Sequence, residues 1–239
     1  MNIGIIGSGA IGSVLAAKLV KLGHKVNIAN SRGPESLKEI SVETGAYPVT
    51  VQQAVINAEL VIVTIPQKSI PDLPDDLFQH IPQNVAVIDT GNYYPGLRDG
   101  VIPGIEADVT ESEWVQNHIH RPVIKVFNSI QAASLKNLGQ AEGEKNRIAL
   151  PVSGDNTETK QLVMQIVNEL GFDPIDFGKI SDSWKQQPGT SIYCADLNKE
   201  QLVAGFNEME AFRTPEIRKS IEINRELQVE AYLKSLSAG

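Results

Sequence analysis

Cysteine is almost missing from this chain. Cys194 is the only one in 239 residues, so no internal disulfide can form and nothing points to an oxidising compartment. Long apolar runs are missing as well: none approaches the roughly 20 residues needed to cross a bilayer. The opening Met1-Asn2-Ile3-Gly4-Ile5-Ile6 lacks the basic region and extended apolar stretch of a secretory signal. These absences lead to the expectation of a cytoplasmic protein without a membrane partner. Positive charge is scarce, with 21 Lys and Arg against 29 Asp and Glu. The resulting formal net charge of -8 argues against a nucleic-acid or anionic-lipid surface as the main partner. Internal repeats, low-complexity tracts and an obvious flexible linker are also absent.

What is present reads as an ordinary core-forming chain, 41% hydrophobic and 21% charged, which leaves room for a sizeable interior. Short β-branched runs at residues 2–6, 25–29, 60–65, 85–89 and 123–127 are nearly continuous in apolar character, as strands buried on both faces are. Amphipathic stretches alternate with them, first at residues 11–22 and then after Pro34, which opens a helix where its missing N–H does no harm. A further βαβ unit comes next. Residues 147–152 read as a strand, Asp155 or Asn156 caps a helix running to Leu170, Gly171 stops it, and residues 172–177 form the next strand. The predicted class is α/β, a Rossmann-type, doubly wound and mainly parallel sheet over residues 1–196, with a small helical portion over residues 197–239. Residues 181–196 are polar and rich in Gly and Pro, contain Trp184 and Tyr193, and read as a long functional loop. Helical patterns occupy residues 199–211 and the stretch opened by Thr214-Pro215. On the latter Ile217, Ile221, Leu227 and Ala231 fall in one stripe, a face for docking on the same chain or, in a homodimer, on a second subunit.

The strongest motif is Gly7-Ser8-Gly9-Ala10-Ile11-Gly12, set between the first strand and the first helix. There Gly7 allows the tight turn, Gly9 lets a pyrophosphate approach the backbone, and Gly12 permits close helix–strand packing. The helix N-terminus adds free N–H groups and partial positive charge. A site selective for NAD carries Asp or Glu at the end of the second strand to bond the ribose 2′-hydroxyl. Here that position reads Asn30-Ser31-Arg32-Gly33: no carboxylate repels a phosphate, and a hydroxyl and a guanidinium fork are available to bind one. The cofactor predicted is NADP.

Ligands of open α/β sheets sit outside the carboxyl ends of the strands. Those ends deliver Thr64-Ile65-Pro66-Gln67, then Asp89-Thr90-Gly91-Asn92-Tyr93-Tyr94, then Phe127-Asn128-Ser129-Ile130. Ile65 and Pro66 are placed to pack on the adenine or the nicotinamide ribose. Thr90, Gly91, Asn92 and Asn128 are placed to approach the nicotinamide or its hydride partner, although Asp89, Thr90 and Asn92 are equally residues that cap local backbone. Asn117-His118-Ile119-His120 could show both imidazoles on one side of an extended segment, but no Cys or acidic cluster completes a metal site, and none is predicted. Cys194 has no basic neighbour in the sequence to make it a nucleophile.

Three stretches together, Gly7–Gly12, Asn30-Ser31-Arg32-Gly33-Pro34 and Val126-Phe127-Asn128-Ser129-Ile130, resemble the family of NADP oxidoreductases that depend on the deazaflavin coenzyme F-420. Ser183-Trp184-Lys185-Gln186-Gln187-Pro188-Gly189-Thr190 with Tyr193-Cys194 resembles a subgroup of bacterial reductase-like relatives. The resemblance implies a Rossmann domain, often dimeric, with Ser31 and Arg32 on the 2′-phosphate and Ile65, Pro66 and Asn128 around the nicotinamide. It also implies direct hydride transfer to a flavin, a deazaflavin or a similar planar small molecule, chemistry that rests on positioning more than on a general acid. Asn128, Asn92 and Tyr193 are the candidates for the catalytic side, with residues 181–196 as the acceptor wall. Two alternatives stand beside this reading. One is reduction of a small carbonyl or imine with an acid from His118, Tyr93 or Tyr94. The other is a non-catalytic NADP(H)-binding module that senses redox state.

Overall fold

The computed structural model describes residues 1–107 and 109–237, with side chains through residue 234. Its strands are β1 (Asn2–Ile6), β2 (Lys25–Ala29), β3 (Tyr47–Pro48), β4 (Leu60–Val63), β5 (Ala86–Asp89), β6 (Ile124–Lys125), β7 (Ala149–Val152) and β8 (Asp173–Asp176). The helices are α1 (Ala10–Lys21), α2 (Lys38–Thr44), α3 (Val51–Val55), α4 (Pro103–Glu106), α5 (Glu111–Ile119), α6 (Ala132–Asn137), α7 (Thr157–Glu169), α8 (Lys199–Glu208) and α9 (Pro215–Ser237). The first six strands pair in parallel in the order β3-β2-β1-β4-β5-β6, the doubly wound arrangement predicted.

The alternation of side chains along each strand splits the core into two layers. On β4, Leu60 and Ile62 join Ile3, Ile5, Ile28 and Ile88 under Leu15 and Leu19 of α1 and Val163 and Ile166 of α7. Val61 and Val63 point the other way, with Val87 and the α5 residues Trp114 and Val115. Each such fully buried side chain contributes about 1.5–3 kcal/mol. Gly4 belongs to this close packing, since a Cβ there would stand 1.9 Å from the Ala54 carbonyl oxygen.

The second βαβ unit forms as expected, but as its own two-stranded sheet of β7 and β8. It meets the large sheet through an antiparallel bridge between Lys125 and Ser153. The cap of α7 resolves to Asn156, whose side chain accepts from the Thr159 N–H. The fifth predicted strand is shorter than its apolar run: pairing stops at Lys125, and Phe127 turns into the left-handed region at φ 62°.

Two expectations are corrected. Residues 181–196 are not an open loop. A 3-10 turn at Ile180–Gln186 packs inward, with Ser183, Trp184 and Gln186 buried, and the Gln186 amide bonds to Ser153 and Asn128 in the interior. The stripe on α9 is also only half right. Ile217 and Ile221 are partly buried, but Leu227 is 57% exposed and Ala231 faces solvent. The helix docks instead through polar contacts. Arg218 pairs with Glu106 at 3.1 Å, the Arg225 guanidinium lies 5.3 Å from the centre of the Tyr93 ring, and Gln228 Oε1 accepts from the Gly189 N–H at 2.9 Å. Gly189, at φ 94°, allows the approach, for a Cβ there would stand 2.1 Å from the Ile221 carbonyl oxygen. Among the described residues no helix is long and apolar enough to cross a membrane.

Candidate active site

The residues singled out in the sequence converge on the carboxyl edge of the large sheet. Gly7 to Gly12 form the turn from β1 into α1. Gly7 sits at φ 122°, its N–H bonded to the Ala29 carbonyl at 2.8 Å, so the turn is pinned to the end of β2. A Cβ on Gly12 would meet the Gly7 carbonyl oxygen at 2.2 Å, which makes glycine obligatory there. At Gly9 a Cβ would meet nothing within 4 Å, leaving open space over the turn. The first turn of α1 carries no acidic side chain, so its free N–H groups face that space without a competing charge.

Asn30 is a brace. Its Oδ1 accepts the Arg32 N–H at 2.9 Å, and its Nδ2 donates to Ser36 Oγ at 2.9 Å and to Ser8 Oγ at 3.4 Å. One amide thereby ties the glycine turn to the loop after β2, and this inward role was not legible in the sequence. Ser31 and Arg32 are exposed beside it, and among the described residues no carboxylate pairs with the Arg32 guanidinium. Open room over Gly9, an acid-free helix start and an uncommitted guanidinium fit a dinucleotide with a 2′-phosphate. Thr64, Ile65 and Pro66 leave β4 half-buried on the same edge.

Beyond Ala10 and Ile11 a cleft of about 720 Å³ opens, lined also by Thr90, Asn92, Tyr94, Asn128 and Tyr193. Gln228, Val229 and Tyr232 of α9 close its far side, a contribution from the tail that no motif in the sequence signals. A larger groove of about 930 Å³ lies among Met1, Glu59 and Val85, at the amino edge of the strands, which ligands of open sheets do not use.

The cleft floor is a hydrogen-bonded amide network. Asn128, 2% exposed, donates to Asn92 Oδ1 at 3.1 Å and to the Gln186 carbonyl at 2.7 Å, and its Oδ1 accepts from Gln186 Nε2 at 2.8 Å. Asn92 Nδ2 donates to the Asn128 carbonyl at 2.9 Å and to the Tyr193 hydroxyl at 3.1 Å. The Tyr193 and Tyr94 hydroxyls meet at 2.5 Å. Burial pushes the Tyr94 phenol up to about 12 and holds the Tyr193 phenol well above its ordinary value, so both stay protonated at neutral pH. Burial also pushes the Cys194 thiol up to about 11, in keeping with an unactivated sulfur.

Below the floor, Asp89 serves the scaffold. Its Oδ1 caps the Gly91 N–H at 2.8 Å, and its Oδ2 accepts from Ser112 Oγ at 2.7 Å and from the fully buried Lys125 Nζ at 3.0 Å. Thr90 likewise bonds back to the Val63 carbonyl while its residue lines the cleft. Glu111, one layer deeper, takes the Tyr93 N–H at 3.1 Å, and burial pushes its carboxyl up to about 7. Its neighbour Arg225 comes from a distant helix, so residue spacing offers no sign of the pair.

The histidine pair does not sit on an extended segment. His118 lies on α5 with Nδ1 against the Trp114 carbonyl, and His120 is the left-handed residue that ends that helix. Among the described residues no cluster of His, Cys, Asp and Glu could hold a metal. Neither imidazole lines the cleft.

Residues 2–93 match the family model described as NADP oxidoreductase, coenzyme F420-dependent, so the resemblance read from the residues is borne out over the stretch that builds the cofactor edge. An Escherichia coli (strain K12) protein, YjhV, is 42% identical over 65 residues, 27% of this chain and 47% of its own length. The chain spans about half or less of the length of the curated relatives it matches. The solved structure of protein SMa0349 from Sinorhizobium meliloti is 29% identical, with a TM-score of 0.67 over 83% of this chain and 96% of that one. A structure described as an F420-dependent NADP reductase from Arthrobacter sp. FB24 is 24% identical, with a TM-score of 0.60 over 77% of this chain and 87% of that one, and shows the same fold. The matched family is one of NADP-dependent oxidoreductases, in line with the enzyme class and cofactor expected from the sequence.

Proposed function

Taking the chain as an NADP-dependent oxidoreductase of the family that its residues 2–93 match, we propose that it passes a hydride between NADP(H) and a planar acceptor of flavin or deazaflavin type. The acceptor is held in the cleft between Asn92, Asn128, Tyr193 and α9. The observation that carries this reading is continuity: Ala10 and Ile11 of the glycine turn line the same cleft as Asn128 and Tyr193. The backbone N–H groups of Ser8 to Gly12 receive the pyrophosphate, Ser31 and Arg32 the 2′-phosphate, and Thr64, Ile65 and Pro66 flank the ribose. Thr90, Gly91 and Asn128 border the nicotinamide, which when bound supplies or takes up the hydride. The amide network fixes Asn92 and Asn128 in single orientations, so two rings brought together there meet a preformed site. No ionised side chain is needed to orient either ring.

Titration with NADPH and NADH, followed by reduced-nicotinamide fluorescence, tests the cofactor side. NADPH is expected to bind the more tightly, and Arg32→Ala should remove about 1.5–3 kcal/mol of NADPH affinity, roughly ten- to a hundred-fold, with NADH little changed. Equal binding of both cofactors by the unaltered protein would overturn the assignment of Ser31 and Arg32.

A further inference from the structure

Two features of the cleft, taken with the proposed hydride transfer on which their reading rests, indicate the kind of acceptor. First, among the described residues its lining carries no Asp, Glu, Lys, Arg or His side chain, although Asp, Glu, Lys and Arg make up 21% of the chain. Second, the hydrogens of two of its phenols, Tyr94 and Tyr193, do not balance. A phenol has one proton to give and two lone pairs to accept with. The Tyr193 oxygen already accepts from Asn92 Nδ2 and shares one hydrogen bond with Tyr94. The two hydroxyls hold two protons between them, and their mutual bond uses one. Where Tyr94 donates in that bond, the Tyr193 proton is the one left over, free to turn to the cleft that both residues line, with the Cys194 thiol, a weak acceptor, as its alternative partner.

We propose that this site takes an acceptor whose ring is uncharged and carries a carbonyl conjugated to the atom that receives the hydride, and that Tyr193, backed by Tyr94 and Asn92, gives that carbonyl oxygen its proton. The balance is simple. The ring gains a hydride and with it two electrons, the carbonyl double bond opens, and the oxygen left with a negative charge takes the phenolic proton. The O–H bond of Tyr193 breaks as the new one forms. Tyr94 passes its own proton across the 2.5 Å contact, and water restores Tyr94. One proton from solvent is consumed for each hydride transferred. The neutral lining suits the oxidised ring, and both phenols are protonated at neutral pH, so the donor is loaded when the charge on the acceptor appears.

Binding is read before turnover. Riboflavin and its phosphorylated counterpart FMN, which share one neutral ring and differ in a charged tail that a cationic lining would hold, are titrated by flavin fluorescence into the cofactor-free protein and into protein saturated with NADP⁺. Riboflavin is expected to bind at least as well as FMN, and Tyr193→Phe should weaken it about fivefold through the lost hydrogen bond. With riboflavin as acceptor, Tyr193→Phe should lower kcat on the order of a hundredfold with NADPH affinity unchanged, and Tyr94→Phe should lower it less and steepen its dependence on pH. FMN binding ten times tighter than riboflavin would refute a neutral site. A Tyr193→Phe protein equal to the parent in both binding and kcat would refute the proton donor, and a melting curve coincident with the parent's shows that the variant is folded. Tight NADPH binding without any flavin binding sinks the neutral acceptor site alone. Flavin binding without NADPH binding sinks the hydride-transfer reading and leaves the neutral site standing.

Discussion

Glu111 shows how a single buried side chain can tie stability to pH. Its carboxyl is pushed up from an ordinary value near 4.5 to about 7, chiefly by burial, with Lys125 and Arg225 opposing. A carboxyl whose native value lies above its unfolded one favours the fold while protonated. Its contribution is whole below the unfolded value and is lost as pH rises through the native one. Glutamine imitates the protonated form. Glu111→Gln should therefore be close to the parent at pH 5 and gain about 1–3 kcal/mol on it by pH 8, read from urea unfolding at both values. Parallel stabilities across that range would mean that Arg225 and Lys125 keep the group ionised throughout. Residues such as Gly7, Gly9 and Gly12 were legible because each answers a local backbone demand. Asn30, Gln186 and Glu111 were not, because an amide or carboxyl in a sequence does not say which way it faces. Here all three face partners from other segments.

Among the elements, β1, β2, β4 and β5 were legible to within two residues, since continuous apolar runs leave little choice. Strand β6 pairs over only two of its five predicted residues, and the two-residue edge strand β3 carries no apolar run to announce it. Two other elements were misread for one reason. The stretch around Ile180–Gln186 and helix α9 both dock through polar groups, and hydrophobic periodicity cannot register that kind of contact. Gly189 is where the two meet. Gly189→Ala adds a Cβ at φ 94° and 2.1 Å from the Ile221 carbonyl oxygen, so α9 must move away. Amide exchange over residues 215–234 should then quicken, and the KM for the acceptor should rise severalfold while NADPH affinity stays within about twofold. An unchanged exchange pattern would show that the helix seat tolerates the methyl group.

At the scale of the whole molecule, a ligand that bridges the glycine turn, the loop after β2 and the strand ends adds its binding energy to the fold. NADPH at 100 times its dissociation constant should stabilise the native state by about 2.7 kcal/mol. For a chain of this size that is a rise in Tm of about 5–10 °C. NADH at the same concentration should give a clearly smaller rise, read by differential scanning calorimetry, and identical shifts would count against 2′-phosphate recognition. The far wall of the cleft has a different consequence, one of inheritance. Most of the residues assigned to the cofactor lie before residue 92, within the stretch that matches a family, whereas the proposed acceptor cleft draws also on Asn128, Tyr193 and the end of α9. The two specificities are thus written largely in separate parts of the gene. On the proposed reading, changes at Asn128, Tyr193 or the end of α9 can exchange one acceptor for another while the glycine turn and the loop after β2 go on holding the same cofactor.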